Sequence, residues 1–156
     1  MAGGTSGRRG APVVVVLAGG GAPWGSPLLA ALQERTDIVV LRRCVDVDDL
    51  LAAAASGQAE VAIVGIDAPG LDLAAADRLR RDGLAVVGVV PETAVPDRAR
   101  AHAERIGVRH VVAEGDPDAA LTLVLGAAEA AHEPATSRRP VASRPAPSAA
   151  VGDAAP

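Results

Sequence analysis

Residues 59–80 read AEVAIVGIDAPGLDLAAADRLR, and the order of chemistry within them decides the fold. Glu60 to Gly65 is an almost unbroken apolar run, the pattern of a strand covered on both faces of a parallel sheet. Ile66 to Leu71 brings together Asp, Pro and Gly, the residues of a turn. Asp72 then stands where a helix N-cap belongs, ahead of an apolar stripe expected at Leu73, Ala76 and Leu79 and a stop at Gly83. The segment reads as one strand–turn–helix unit.

The same unit recurs on either side. Strands are expected at 13–18 (VVVVLA), 37–42 (DIVVLR), 84–90 (LAVVGVV) and 109–113 (RHVVA). All are Val/Ile/Leu runs without polar alternation, so each is expected to be buried on both faces. Ser26-Pro27 predicts the start of the first helix, with Ser as cap and Pro at the first helical position. Asp46 caps the second, through Leu50 and Leu51 to Gly57. The fourth runs from Pro96 to Ile106 and stops at Gly107. Asp116-Pro117 opens the fifth, with Leu121, Val124, Leu125 and Ala128 on one face. Five such units with short loops predict an α/β fold, a five-stranded parallel sheet with helices on both sides. Their number favours the flavodoxin-like (βα)5 order 2-1-3-4-5 over a six-stranded dinucleotide-binding sheet.

This folded part occupies 13–132. Residues 1–12 are Gly/Ser/Arg-rich and read as a disordered arm. From 133 the composition turns to Pro, Ala and Ser, a semi-stiff extended linker or tail. Hydrophobic residues make up 49% of the chain and aromatic ones 1%, a single Trp24. The core is therefore aliphatic, and no aromatic platform exists for stacking bases. Residues 12–132 hold 10 arginines against 17 acids, so the domain is acidic and does not read as a nucleic-acid binder. One cysteine, Cys44, excludes an internal disulfide and a cysteine-rich metal site. No signal-like or membrane-spanning run is present, and the plain reading is a cytoplasmic protein.

In this fold, chemistry sits at the carboxyl ends of the strands. After the first strand, Gly19, Gly20 and Gly21 suggest a candidate anion or ligand loop before a helix N-terminus. A Walker loop needs a lysine, and the chain has none; a G-x-G-x-x-G beginning at Gly19 meets Trp24 where its last glycine belongs. Arg42 and Arg43 close the second strand where an acid would hold a ribose. The alternative they leave open is a small-molecule or nucleotide-binding module using the Gly19–Gly21 loop. Arg42 and Arg43 also raise the question of a lowered thiol pKa at Cys44, although a small buried core residue is the favoured role. Asp46, Asp48 and Asp49 are explained by capping and the helix dipole. His102, His110 and His132 lack metal-ligand spacing, and no metal or other cofactor is expected.

The layout of strand ends resembles that of a response-regulator receiver. Such a domain places two acids after the first strand, a phosphoacceptor aspartate after the third, a Ser/Thr after the fourth and a Lys after the fifth. Here those places hold Gly19 and Gly20, Gly65, Val90-Pro91 and Glu114. Gly65 is the degenerate acceptor position, with Asp67 two residues beyond it in the turn. A carboxylate without partner acids has no magnesium site, and without a lysine the phosphate charge goes unbalanced. No catalytic residue is expected, and the chain does not read as an enzyme.

The resemblance narrows further over LLAALQERTDIVVLRRCVDVDDLLAAAASGQAEVAIVG (28–65), GLAVVGVVPET (83–93) and RIGVRHVVAEGDPDAAL (105–121). These segments resemble the N-terminal pseudo-receiver domain of actinobacterial CpaE/TadZ-like members of the MinD/ParA ATPase superfamily. The resemblance implies a non-phosphorylated scaffold for protein interaction, localisation or control of such an ATPase. The partner domain is then expected in cis or in trans, with self-association, in pilus assembly, secretion or cell-division positioning. Membranes are reached only through partners. The ATPase half is not in this sequence, so the chain is read either as the first part of a longer protein or as a stand-alone relative. The expected contact face is that of the fourth helix, fifth strand and fifth helix, with Arg98, His102, Arg105 and Leu121 as candidates. Trp24, Arg42 and Arg43 are further interaction candidates.

Overall fold

A computed structural model describes residues 11–19 and 21–131. The arm before residue 11, Gly20, and everything from His132 onward, including the expected tail, lie outside the described residues. In chain order the elements are β1 (Val13–Ala18), α1 (Gly25–Gln33), β2 (Ile38–Arg43), α2 (Val47–Ala54), β3 (Val61–Gly65), α3 (Leu73–Arg81), β4 (Ala85–Val90), α4 (Pro96–Arg105), β5 (His110–Ala113) and α5 (Pro117–Ala131). The strands form one parallel sheet in the order β2-β1-β3-β4-β5. The chain steps outward from β1 to β2, then crosses back over β1 to β3, so the loops leaving β1 and β3 diverge into opposite layers. That divergence opens a crevice at their carboxyl ends.

Alternation along each strand feeds two cores. Val15, Leu17, Ile63, Val87 and Val89 point to α1 and α5, against Trp24, Leu28, Leu32, Val124 and Ala128. Val16, Ala62, Val64 and Val86 point to the other side, against Leu50, Ala54, Leu79, Ala103 and Ile106 of the α2, α3 and α4 layer. Each fully buried Leu or Val contributes about 1.5–3 kcal/mol of transfer free energy. The sheet is the axis of both cores, which is why its strands are apolar without alternation.

The helix ends follow their chemistry. Asp46, Asp72 and Asp116 carboxylates accept from the backbone N–H three residues on, at 2.9, 2.8 and 3.1 Å. At the end of α4, Gly107 takes φ +80, a conformation costly for a side chain, and its carbonyl accepts from Arg80 Nη1 at 2.6 Å. In β4, a Cβ on Gly88 would lie 2.5 Å from Ile66 Cγ2, so only glycine lets the β3–α3 turn pack onto that strand.

Four sequence expectations need correcting. Helix α1 begins at Gly25, with Trp24 at the N-cap position and no side-chain cap. The Ala22–Gly25 turn and the helical dihedrals of Trp24 lead directly into it, so Ser26 and Pro27 fall inside the first turn, where Pro's missing N–H costs nothing. Strands β2 and β5 are the sheet's edges and are not covered on both faces: Val39 and Leu41 are 44% and 39% exposed, and in β5 only Val112 is buried. Leu73 is 55% exposed, because α3 presents Ala75, Ala76 and Leu79 to the sheet and leaves its first residue over the rim. Leu121 is buried in the α1/α5 core, so it offers no contact surface.

Candidate functional site

Two successive turns carry the chain from β1 back over the end of the sheet. Ala22 N–H donates to the Gly19 carbonyl at 2.7 Å and Gly25 N–H to that of Ala22 at 3.1 Å. They deliver the Trp24 indole onto the rim between β1 and β3, where it is 5% exposed and packs with Leu28 and Leu32. The close approach depends on missing side chains. A Cβ on Gly65 would lie 3.5 Å from Trp24 Cζ2, 3.6 Å from its Nε1 and 3.1 Å from Asp67 Oδ1. One on Gly19 would lie 3.0 Å from Gly25 Cα and 3.5 Å from the ring. The indole thus occupies space beside both positions from which acidic side chains would extend.

Around this ring lies a pocket of about 340 Å³, lined by Gly19, Trp24, Val45, Asp46, Gly65 and Asp67 among others. Its charged groups are carboxylates. Asp67 is exposed in the turn and makes no hydrogen bond or ion pair among the described residues. Asp46 uses one oxygen to cap α2. No group of three metal-ligating side chains exists among the described residues.

The arginines next to the pocket are turned away from it. A register shift between Val15 and Val16 makes Leu41 an extra residue in β2, a bulge that resets the phase of the strand, after which Arg42 and Arg43 point to opposite layers as successive strand residues do. Arg42 pairs with Asp49 of α2 at 2.6 Å, and Arg43 donates to Ser26 Oγ of α1 at 3.3 Å. Beside them Cys44 is buried, and burial first and then the Asp49 charge push its thiol up to about 11, against a smaller opposing effect of Arg42 and with a still smaller push from Asp46. The arginines therefore do not activate this thiol, and the core role holds.

The remaining strand ends hold other connections. The Glu114 carboxylate accepts from the Glu92 backbone N–H at 3.2 Å, tying the loop after β4 to the end of β5. His102, half-buried on α4, places Nε2 3.1 Å from the Ile66 carbonyl, one residue past Gly65. The helix is thus pinned to the turn that carries the degenerate acceptor position. Neither link was visible in the sequence, since both join residues more than twenty positions apart and no local pattern marks them.

Between α4 and β5 lies a second groove of about 300 Å³, lined by Val90, Pro91, Ala99, Arg100, Val111 and Ala113 among others. Arg98, Arg100, Arg105 and Arg109 are exposed here or nearby and make no ion pair among the described residues. The groove is apolar at its floor, Glu92 and Arg100 are the charged residues lining it, and the other arginines stand outside it. The structure brings Gly19, Trp24, Gly65 and Asp67 together, keeps Arg98 and Arg105 apart from them on α4, and links α4 to the turn after β3 through His102.

No known protein family matches the sequence, and no curated protein matches it either. Solved structures do match. The signal receiver domain of NarL from Mycobacterium tuberculosis is similar with a TM-score of 0.64 and 17% identity, over 76% of this chain and 98% of that one. The REC domain of AraT from Geobacillus stearothermophilus gives 0.61 and 16%, over 76% and 94%. The response regulator domain of Thermotoga maritima CheB gives 0.61 and 15%, over 80% and 99%. The chain has the receiver fold, a flavodoxin-like sheet in the order 2-1-3-4-5. No helix among the described residues is long and apolar enough to cross a membrane.

Proposed function

We propose that this receiver fold is catalytically silent and serves as a protein-contact module. One observation carries the reading: at Gly65 the acceptor carboxylate is missing and the Trp24 indole lies 3.5 Å from where its Cβ would be. Phosphoryl transfer to a carboxylate needs clustered acids for a metal and a cation for the product charge. Gly19, Gly65 and Glu114 supply neither. What the fold retains is a shaped surface, and the apolar α4–β5 groove, with Arg98, Arg100 and Arg105 exposed along the same helix, suits a partner that offers an apolar contact and acidic groups to α4.

The resemblance to CpaE/TadZ-like pseudo-receivers names that partner as a MinD/ParA-type ATPase domain, in cis or in trans, alongside self-association. The role is then localisation or control of the ATPase in pilus assembly, secretion or division-site positioning, in the cytoplasm, with membranes reached through partners and without nucleic acid. Two experiments test the proposal. Beryllofluoride with Mg²⁺ should leave the amide NMR spectrum unchanged, whereas shifts around Asp67 would reinstate a phosphoreceiver. A MinD/ParA-type ATPase domain should bind in calorimetry, and Arg98→Glu with Arg105→Glu should weaken it; binding indifferent to both would remove α4 as the contact face.

A further inference from the structure

The pocket beside Trp24 carries a donor and acceptors that nothing in the protein uses. The indole is more than nine-tenths buried, yet its Nε1–H makes no hydrogen bond among the described residues. A buried indole N–H normally finds an acceptor, because leaving it dry and unpaired is costly. This one is not sealed away: the one side-chain nitrogen or oxygen both sealed and unpartnered among the described residues is Asp82 Oδ2. Nε1 lies 3.6 Å from where a Gly65 Cβ would stand, and Gly65 itself lines the pocket. The N–H therefore opens into that pocket.

Opposite it stands Asp67. Its Oδ1 is 3.1 Å from the same Gly65 Cβ point, so Oδ1 and Nε1 are separated by no more than the sum of those two lengths. An acceptor-seeking N–H and an unpaired carboxylate that line one pocket this close together can be bridged by one polar edge of a small flat molecule. Val45, Val47 and Pro69 supply apolar walls, and about 340 Å³ accommodates a one- or two-ring heterocycle. No arginine lines the pocket, and Asp46 adds a second carboxylate at its margin, so a phosphate-bearing ligand would meet charges of its own sign.

We infer that this pocket binds an uncharged amino-heterocycle whose edge carries an acceptor next to N–H donors, the 2-amino-4-oxo edge of isocytosine or the matching 2-amino-6-oxo edge of guanosine. The carbonyl oxygen accepts from Trp24 Nε1–H, and the ring and exocyclic N–H groups donate to the Asp67 carboxylate. A glycine at 65 is what lets both groups reach the same ligand. This assignment does not depend on the α4–β5 face being the contact surface.

The chain has one tryptophan, so its ¹H–¹⁵N spectrum holds one indole cross-peak, a direct report on this N–H. Isocytosine and guanosine, titrated to millimolar concentration, should move that peak downfield and saturate. Asp67→Asn should weaken both by about tenfold or more, the loss of a charge-assisted pair of hydrogen bonds. Methylguanidinium, which has donors and no acceptor, should leave the indole peak in place, and guanosine 5′-monophosphate should bind more weakly than guanosine. Trp24→Phe keeps an aromatic ring without the N–H; checked for folding by circular dichroism, it should weaken isocytosine measured by calorimetry. An indole peak that no amino-heterocycle moves would overturn the inference. So would affinity unchanged in Asp67→Asn, an indole shift with methylguanidinium equal to that with isocytosine, or tighter binding of the monophosphate.

Discussion

The rim of the sheet over β1 and β3 and the side of the fold along α4 and β5 belong to one sheet and have opposite structures. Over β1 and β3 an aromatic ring is drawn in, charged side chains are few, and the arginines nearby are committed to Asp49 and Ser26. Along α4 and β5 the groove is shallow and four arginines stand exposed without ion pairs among the described residues. One region has been closed by packing and the other left open by charge. A site kept for phosphoryl chemistry would show the reverse, with clustered charge at the rim. The difference points to a fold whose rim serves as core and small pocket, and whose flank serves as surface.

The strongest way to break this contrast is to remove the ring. Trp24→Ala should cost about 3–5 kcal/mol, the usual range for deleting a buried large aromatic side chain, read as a lower denaturation midpoint by far-UV circular dichroism. A loss below about 1 kcal/mol would mean that the indole is a loose cover and the rim is not closed. Second in size is an attempt to restore the acid. Gly65→Asp must fit its Cβ 3.1 Å from Asp67 Oδ1 and 3.5 Å from the indole, and it sets two carboxylates together without a cation. It should cost about 1–3 kcal/mol by overpacking and desolvation, and it should not be phosphorylated by acetyl phosphate with Mg²⁺. Gly65→Ala, which adds the same Cβ without charge, should cost less. Equal losses for the two would show that the crowding, and not the carboxylate, is what the rim rejects.

How much of this was legible in the sequence differs between the same two regions. The sheet order, the strand runs and the Asp46, Asp72 and Asp116 caps follow from local chemistry, and each reads off a few adjacent residues. The vacancy at Gly65 was equally plain, because an absent carboxylate is a property of one position. What filled it was not. Trp24 sits over Gly65 through two turns and a helix start that Ser26-Pro27 misplaces by two residues, and a bulge at Leu41 decides where Arg42 and Arg43 point. The exposure of Val39 and Leu41 depends on β2 being an edge, which strand composition does not encode: an apolar run looks the same inside a sheet and at its border. His102 reaching Ile66 joins elements thirty-six residues apart and leaves no periodic trace.

That histidine ties α4 to the turn after β3 and gives the next test in size. His102→Ala removes the partner of the Ile66 carbonyl in a half-buried position, and the loss of such a hydrogen bond costs about 1 kcal/mol. The informative reading is local: hydrogen exchange should quicken in α4 and in the 66–71 turn and stay unchanged in α1 and α5. Faster exchange spread evenly over the sheet would mean that His102 supports global stability and does not couple the flank to the rim. His102→Gln, whose side-chain amide can still donate to the same carbonyl, should recover part of the protection.

The smallest stability effect belongs to the flank, and its smallness is what the contrast requires. Arg98→Glu and Arg105→Glu replace exposed side chains without ion pairs among the described residues. Exposed substitutions of this kind stay within about 0.5 kcal/mol, so the denaturation midpoint should hardly move. Helix α4 has Asp97 in its first turn and Arg105 in its last, the arrangement favoured by the helix dipole. Arg105→Glu should therefore be the costlier of the two, because it puts negative charge at a carboxyl-terminal end. A loss above about 1 kcal/mol from Arg98→Glu would mean that the residue is anchored in the fold. Charge on the flank would then be structural, and the open side of the molecule would have to be sought on β2, where Val39 and Leu41 are already uncovered.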